Sequence, residues 1–175
     1  MRLYPSPNLS EFWLRYTVRY ESGFAWSFLN YDKHLYMYCA NSRTIITGFT
    51  GDSMYVHLSA EGGEGNLSGS FGFADVMGQA TGDGLFHTYE VHVKADTNSS
   101  NGVVQLWSDG ILKIDVDDAD TGTSPLARID FHENQYSPSG GPYYVDYDDM
   151  VIYDTTPPNV DAASNPMIGP IGWGT

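Results

Sequence analysis

Phe86-His87-Thr88-Tyr89-Glu90-Val91-His92-Val93-Lys94, followed by Gly102-Val103-Val104-Gln105-Leu106-Trp107-Ser108-Asp109-Gly110, decides the fold. Tyr89, Val91 and Val93 alternate with Thr88, Glu90, His92 and Lys94, the period of a half-buried strand. After Asp109-Gly110 come Leu112, Ile114 and Val116, again in alternation. Asp-Gly between two alternating runs is the strongest short-range hairpin signal. Upstream, Phe12, Leu14, Tyr16, Val18 and Tyr20 form one face of a third strand, with Arg15, Thr17 and Arg19 on the other.

Weaker strand patterns cover 35–39, 44–47, 54–59, 127–132 and 143–153. No segment sustains a helical period, and at most one helical turn is expected near Ala74–Met77. Gly62–Gly72 is rich in Gly, Ser and Asn and reads as a loop. The spacing of turn signals predicts an all-β, two-sheet antiparallel sandwich over residues 1–154. Residues 155–175 form an extended Pro/Gly-rich tail ending in Trp173-Gly174-Thr175. A tail of this composition is ordered only by docking on its own domain or on a neighbour, so it is the expected route to self-association or to a larger assembly.

The chain has 175 residues, enough for one domain with a sizeable core. Its 22 acidic and 8 basic side chains leave a formal charge of −14. That excludes nucleic acid as a partner, because phosphate binding needs clustered Lys and Arg. It also weighs against polyanionic glycans and suits divalent cations. The single cysteine, Cys39, excludes an intramolecular disulfide and is expected as a small core hydrophobe. No run is long enough for a helical membrane span. Met1-Arg2 leads into Pro5, Ser6 and Pro7 without an apolar run, so no signal peptide is expected there.

Three segments together resemble the concanavalin A-like lectin/glucanase superfamily, especially its polysaccharide-lyase-like and laminin-G-like members. They are Glu11–Tyr20 with Gly23-Phe24, the His87–Lys94 and Gly102–Gly110 pair, and the acidic strand Tyr144–Tyr153. The resemblance spans residues 11–154 and implies a jelly-roll sandwich that works outside cells. It leaves Met1 close to the first matched strand, so a preceding strand is missing or is supplied by Arg2–Tyr4 or by the tail. Retaining glucanases of the superfamily carry Glu-x-Asp-x-Glu on one strand, and none of Glu11, Glu21, Glu61, Glu64, Glu90 and Glu133 starts such a motif. Its lyases use a His or Tyr base with Arg and Gln or Asn. Those types occur here at His57, His87, His92, His132, Gln135, Tyr136, Arg15 and Arg19, without the family's local signatures.

Two acidic clusters are candidate Ca²⁺ ligands: Asp115, Asp117, Asp118 and Asp120 in an expected turn, and Asp146 with Asp148 on one strand face. The alternative is a solvated loop and a charged, aggregation-resistant edge. Trp13, Arg15, Arg19, Tyr36, Trp107, Tyr143, Tyr144 and Trp173 are the candidates for glycan or partner binding. Their aromatic faces suit sugar rings or a protein partner. The leading expectation is a non-enzymatic surface or structural module, extracellular or on a virion surface, such as a phage capsid decoration or fibre protein, with glycan binding open. A secreted carbohydrate-binding lectin-like domain and a polysaccharide lyase-like enzyme are the alternatives.

Overall fold

The computed structural model describes residues 1–24, 32–40, 44–50, 53–60, 63–66, 71–72, 81–98, 100–121, 123–131 and 144–169. Among them there is no helix, and two antiparallel sheets form a sandwich. One sheet has the order β10 (Ile111–Ala119), β9 (Gly102–Ser108), β8 (Phe86–Lys94), β2 (Glu11–Tyr20), β12 (Val145–Tyr153). The other runs β1 (Arg2–Leu3), β11 (Leu126–Phe131), β3 (Asp32–Cys39), β4 (Thr44–Thr50), β5 (Ser53–Ala60), β6 (Gly63–Asn66), with β7 (Phe71–Gly72) also paired to β5. A small ribbon of β13 (Asn159–Val160) and β14 (Pro166–Met167) follows the last long strand.

Period-two alternation builds the core. Phe12, Leu14, Tyr16, Val18 and Tyr20 of β2 join Tyr89, Val91 and Val93 of β8, Val104 and Leu106 of β9, and Ile114 and Val116 of β10. Facing them are Leu35 and Met37 of β3 and Leu126, Ile129 and Phe131 of β11. Burying each such side chain contributes roughly 1.5–3 kcal/mol. Edge-to-face contacts of the Phe131 ring with Tyr16 at 5.3 Å and Tyr147 at 5.5 Å tie the two sheets at the middle. Cys39 is half-buried against this core.

Two sequence expectations need correction here. Gly62–Gly72 is not loop throughout, because β6 and β7 pair with β5 through the backbone. Main-chain hydrogen bonding does not require an apolar pattern, so the Gly-rich composition concealed these short strands. Asp115–Asp118 lie on strand β10, not in a turn; alternation sets Asp115 and Asp117 on one outward face with buried Val116 between them. The N-terminal strand comes from Arg2–Leu3, which pairs with Asp130 and Ile129 of β11. The helical turn expected at 74–77 lies outside the described residues.

The β9–β10 turn fixes one end of the five-stranded sheet. Asp109 and Gly110 have φ of 49° and 78°, the paired positive values of a type I′ hairpin. Asp109 N donates to Thr88 O at 2.8 Å, and its carboxylate accepts from Thr88 N at 2.8 Å. That carboxylate also meets His87 Nδ1 at 2.7 Å, while His87 Nε2 meets Asp83 at 2.9 Å. Burial alone would lower the His87 pKa, but the hydrogen bonds and charges of Asp109 and Asp83 outweigh it and raise it.

Replacing Gly110 by Ala tests the turn. The added Cβ would meet nothing within 4 Å, so only the backbone penalty remains. Urea unfolding should show a loss of about 1 kcal/mol. The His87 bridge predicts a pH dependence. Because the folded pKa lies above the unfolded value of 6.5, the stabilisation is complete below that value and disappears as pH rises through the folded pKa. Melting temperatures measured upward from pH 6.5 should fall in the wild type, and the His87→Gln variant should show a flatter profile.

Candidate functional site

The outward face of the five-stranded sheet collects the polar and aromatic side chains of β2, β8 and β9. Register sets them in two cross-strand rows. Arg15 pairs with Glu90, and Glu90 with Trp107. Trp13 pairs with His92, and His92 with Gln105. A two-layer sandwich would leave this face in water, yet Trp107 is 0% exposed, Glu90 1% and Trp13 3%.

The C-terminal segment covers them. Trp13 Nε1 donates to Pro166 O at 2.9 Å, and Trp107 Nε1 donates to Asp161 at 2.9 Å. The Glu90 carboxylate accepts from the backbone N–H groups of Ile168 and, at 3.0 Å, Gly169. Burial raises the Glu90 pKa, and the two N–H groups and the Arg15 charge only partly reverse that shift. Asp161 closes its own turn by accepting from Ala163 N and Asn165 N. The segment thus acts as a strap, held by indole and carboxylate groups of the sheet.

Between strap and sheet lies a cavity of about 390 Å³, lined by Arg15, Thr88, Glu90, Trp107, Asp109, Gly110, Met167 and Gly169. That volume is within the range of small-molecule sites. Arg15 is 9% exposed, and both oxygens of the neighbouring Glu90 are taken by the strap. Arg15 lines the cavity, and its guanidinium is a fork of donors of the kind that suits two adjacent oxygen acceptors. Asp109 and Thr88 add polar groups at the hairpin end.

Beside the cavity runs a polar chain. Glu11 Oε1 meets His92 Nε2 at 3.0 Å, His92 Nδ1 meets Gln105 Oε1 at 2.9 Å, and Gln105 Nε2 donates to Asp115 Oδ1 at 2.8 Å. The Trp13 ring stacks on His92 at 4.1 Å and 6°. Both imidazole nitrogens are engaged and one ring face is covered, so His92 has a structural place in this sheet.

The candidate residues are therefore dispersed. Trp13 and Trp107 are corrected from open binding rings to buried ones, because the strap lies over them. Arg15 lines the cavity. Arg19 is exposed and donates to Asp146 at 2.7 and 2.9 Å. Tyr144 is 71% exposed. Tyr36 lies in the other sheet, half-buried and 4.5 Å from Tyr38. Tyr143 and Trp173 lie outside the described residues, as do His132, Gln135 and Tyr136.

Among the described residues no three His, Cys, Asp or Glu side chains are gathered as a metal site. Asp115 is held by Gln105, Asp146 by Arg19, and Asp148 accepts from Asp149 N. Asp117 and Asp118 are exposed and Asp120 is half-buried. Thr88, Glu90 and Asp109 were absent from the sequence candidates. The signal that finds them is the β2–β8 register, which puts Glu90 beside Arg15.

No family model and no curated protein matches the chain. Solved structures do. An alginate lyase, Aly36B, in complex with an alginate trisaccharide superimposes with a TM-score of 0.62 and 16% identity, over 83% of this chain and 70% of that one. An endo-beta-1,4-glucuronan lyase from the fungus Trichoderma reesei gives 0.56 and 12%, over 82% and 68%. A receptor binding domain gives 0.52 and 16%, over 83% of this chain and 32% of that one. At such identities the likeness is one of fold. The chain has the concanavalin A-like jelly-roll fold that its strand motifs resemble.

Proposed function

We propose that this protein is a non-enzymatic carbohydrate-binding module whose site is the cavity between the strap and the five-stranded sheet. The observation that carries the reading is Arg15, nine-tenths buried, with a donor fork lining a sugar-sized cavity beside Thr88 and Asp109. A saccharide offers the matching chemistry of two adjacent oxygen acceptors, as vicinal hydroxyls or as a uronate carboxylate. The net charge of −14, with Glu90 and Asp109 in the wall, favours the neutral sugar. Binding rather than turnover is supported by His92, whose two ring nitrogens are already occupied in the sheet. Structures of the same fold that act on or hold polysaccharides, such as the alginate lyase, support the ligand class by analogy.

Assembly on a virion, the leading sequence expectation, has less behind it. Asn159–Gly169 packs on its own sheet, so that stretch supplies no argument for a neighbouring molecule.

A glycan array with neutral gluco-, manno- and galacto-oligosaccharides beside alginate and glucuronan oligomers tests the reading. Wild-type protein should be retained on at least one saccharide class, and the neutral arm should exceed the uronate arm. Arg15→Ala should weaken retention at least about tenfold, the loss of one charge-assisted hydrogen-bonded fork. Arg15→Lys should recover only part of it, because Lys lacks the fork. Melting curves identify any variant that fails to fold. Wild-type protein that binds no saccharide, or folded Arg15→Ala that binds normally, would sink the proposal.

A further inference from the structure

A second recess lies on the same sheet, beyond the cavity. About 370 Å³ in volume, it is lined by Arg19, Glu21, Ser22, Gly84, Tyr144 and Asp146. Along β2, Arg15, Thr17 and Arg19 share the outward face. Four residues of extended strand separate the two arginines, roughly 13 Å. Between them Thr17 pairs with Thr88, and both threonines are half-buried on this face. The threonine hydroxyls make this a polar path.

The second recess is built in a different way from the first. Tyr144 stands 71% exposed, with its backbone N–H fixed to Glu21 at 3.1 Å. Arg19 is held by Asp146 and lies over the Phe86 ring, 4.9 Å from its centroid. An exposed aromatic ring on an anchored backbone, beside a guanidinium–carboxylate pair, offers one apolar face and several hydrogen-bonding groups, the combination that a sugar ring with its C–H face and its hydroxyl edge requires.

We propose that this recess is a second subsite for the same saccharide, so that an extended glycan runs along β2 from the Arg15 cavity, over Thr17 and Thr88, to the Tyr144 ring. The inference rests on the carbohydrate-binding reading above and adds to it that the ligand is a chain several rings long. A monosaccharide fills one subsite only. Thr17 and Thr88 are the residues between the two sites on this face, and their hydroxyl groups suit a polymer with hydroxyls along its edge.

Isothermal titration with two length series, β-1,4-gluco-oligosaccharides and alginate oligosaccharides of one to six rings, separates the possibilities. Affinity should rise about tenfold or more once a chain is long enough to reach Tyr144, and Tyr144→Ala should remove that gain. The same variant should leave the affinity for one- and two-ring ligands unchanged. Arg19→Ala should repeat the pattern, and Arg15→Ala should weaken every length. Tyr144 is exposed, so its truncation leaves the core intact. A flat dependence on length, or long chains bound equally by wild type and Tyr144→Ala, overturns the second subsite while the cavity stands. Absence of binding in both series overturns the subsite, and if no saccharide of the array is retained either, the cavity falls with it.

Discussion

The register between β2 and β8 governs both faces of the five-stranded sheet. Tyr16 lies opposite Tyr89 and Leu14 opposite Val91, which fills the core. The same pairing sets Arg15 against Glu90 and Trp13 against His92 on the far side. A slip of β2 by one residue would drive Arg15 into the core and put Tyr16 and Leu14 under the strap. A buried unpaired charge costs several kcal/mol, and each displaced core residue forfeits roughly 1.5–3 kcal/mol. The core therefore specifies the geometry of the cavity, although no core residue lines it.

The strap solves a problem that this register creates. Glu90 is taken out of water and must be compensated. Two consecutive backbone N–H groups do so, and Arg15 contributes at longer range. Trp13 and Trp107 would otherwise present a large apolar patch, and each instead donates its indole N–H into the strap. The arrangement leaves both Glu90 oxygens engaged by the strap and Arg15 in the cavity wall. An ordinary need for burial has thereby produced an asymmetric polar pocket.

The sandwich was legible from alternation and from Asp109-Gly110, because period two and a left-handed turn are local properties of a chain. The pairing of Arg15 with Glu90 was not, since it links residues 75 apart through a register that one sequence does not display. The cover over Trp13 and Trp107 was hidden for a similar reason. Asn159–Gly169 carries no strand pattern, and its grip comes from backbone groups and from Asp161. Tyr36 looked equivalent to Trp13 by residue type, but β3 belongs to the opposite sheet. Arg19 and Tyr144 stayed exposed because they sit at the sheet end beyond the reach of the strap.

The strap follows β2, β8 and β9 in the chain. Its contacts cover Trp13, Glu90 and Trp107, which lie on the outer face of those strands. β12 itself must return to β2 across more than a hundred residues, the kind of distant pairing that slows folding. Without the strap, the surface that frames the cavity would be the most apolar part of the sheet's outer face. β10 and β12 are the two edges of the five-stranded sheet, and their acidic side chains hold no grouped metal site among the described residues. Carboxylates at both edges make edge-to-edge pairing of two copies of this sheet unfavourable.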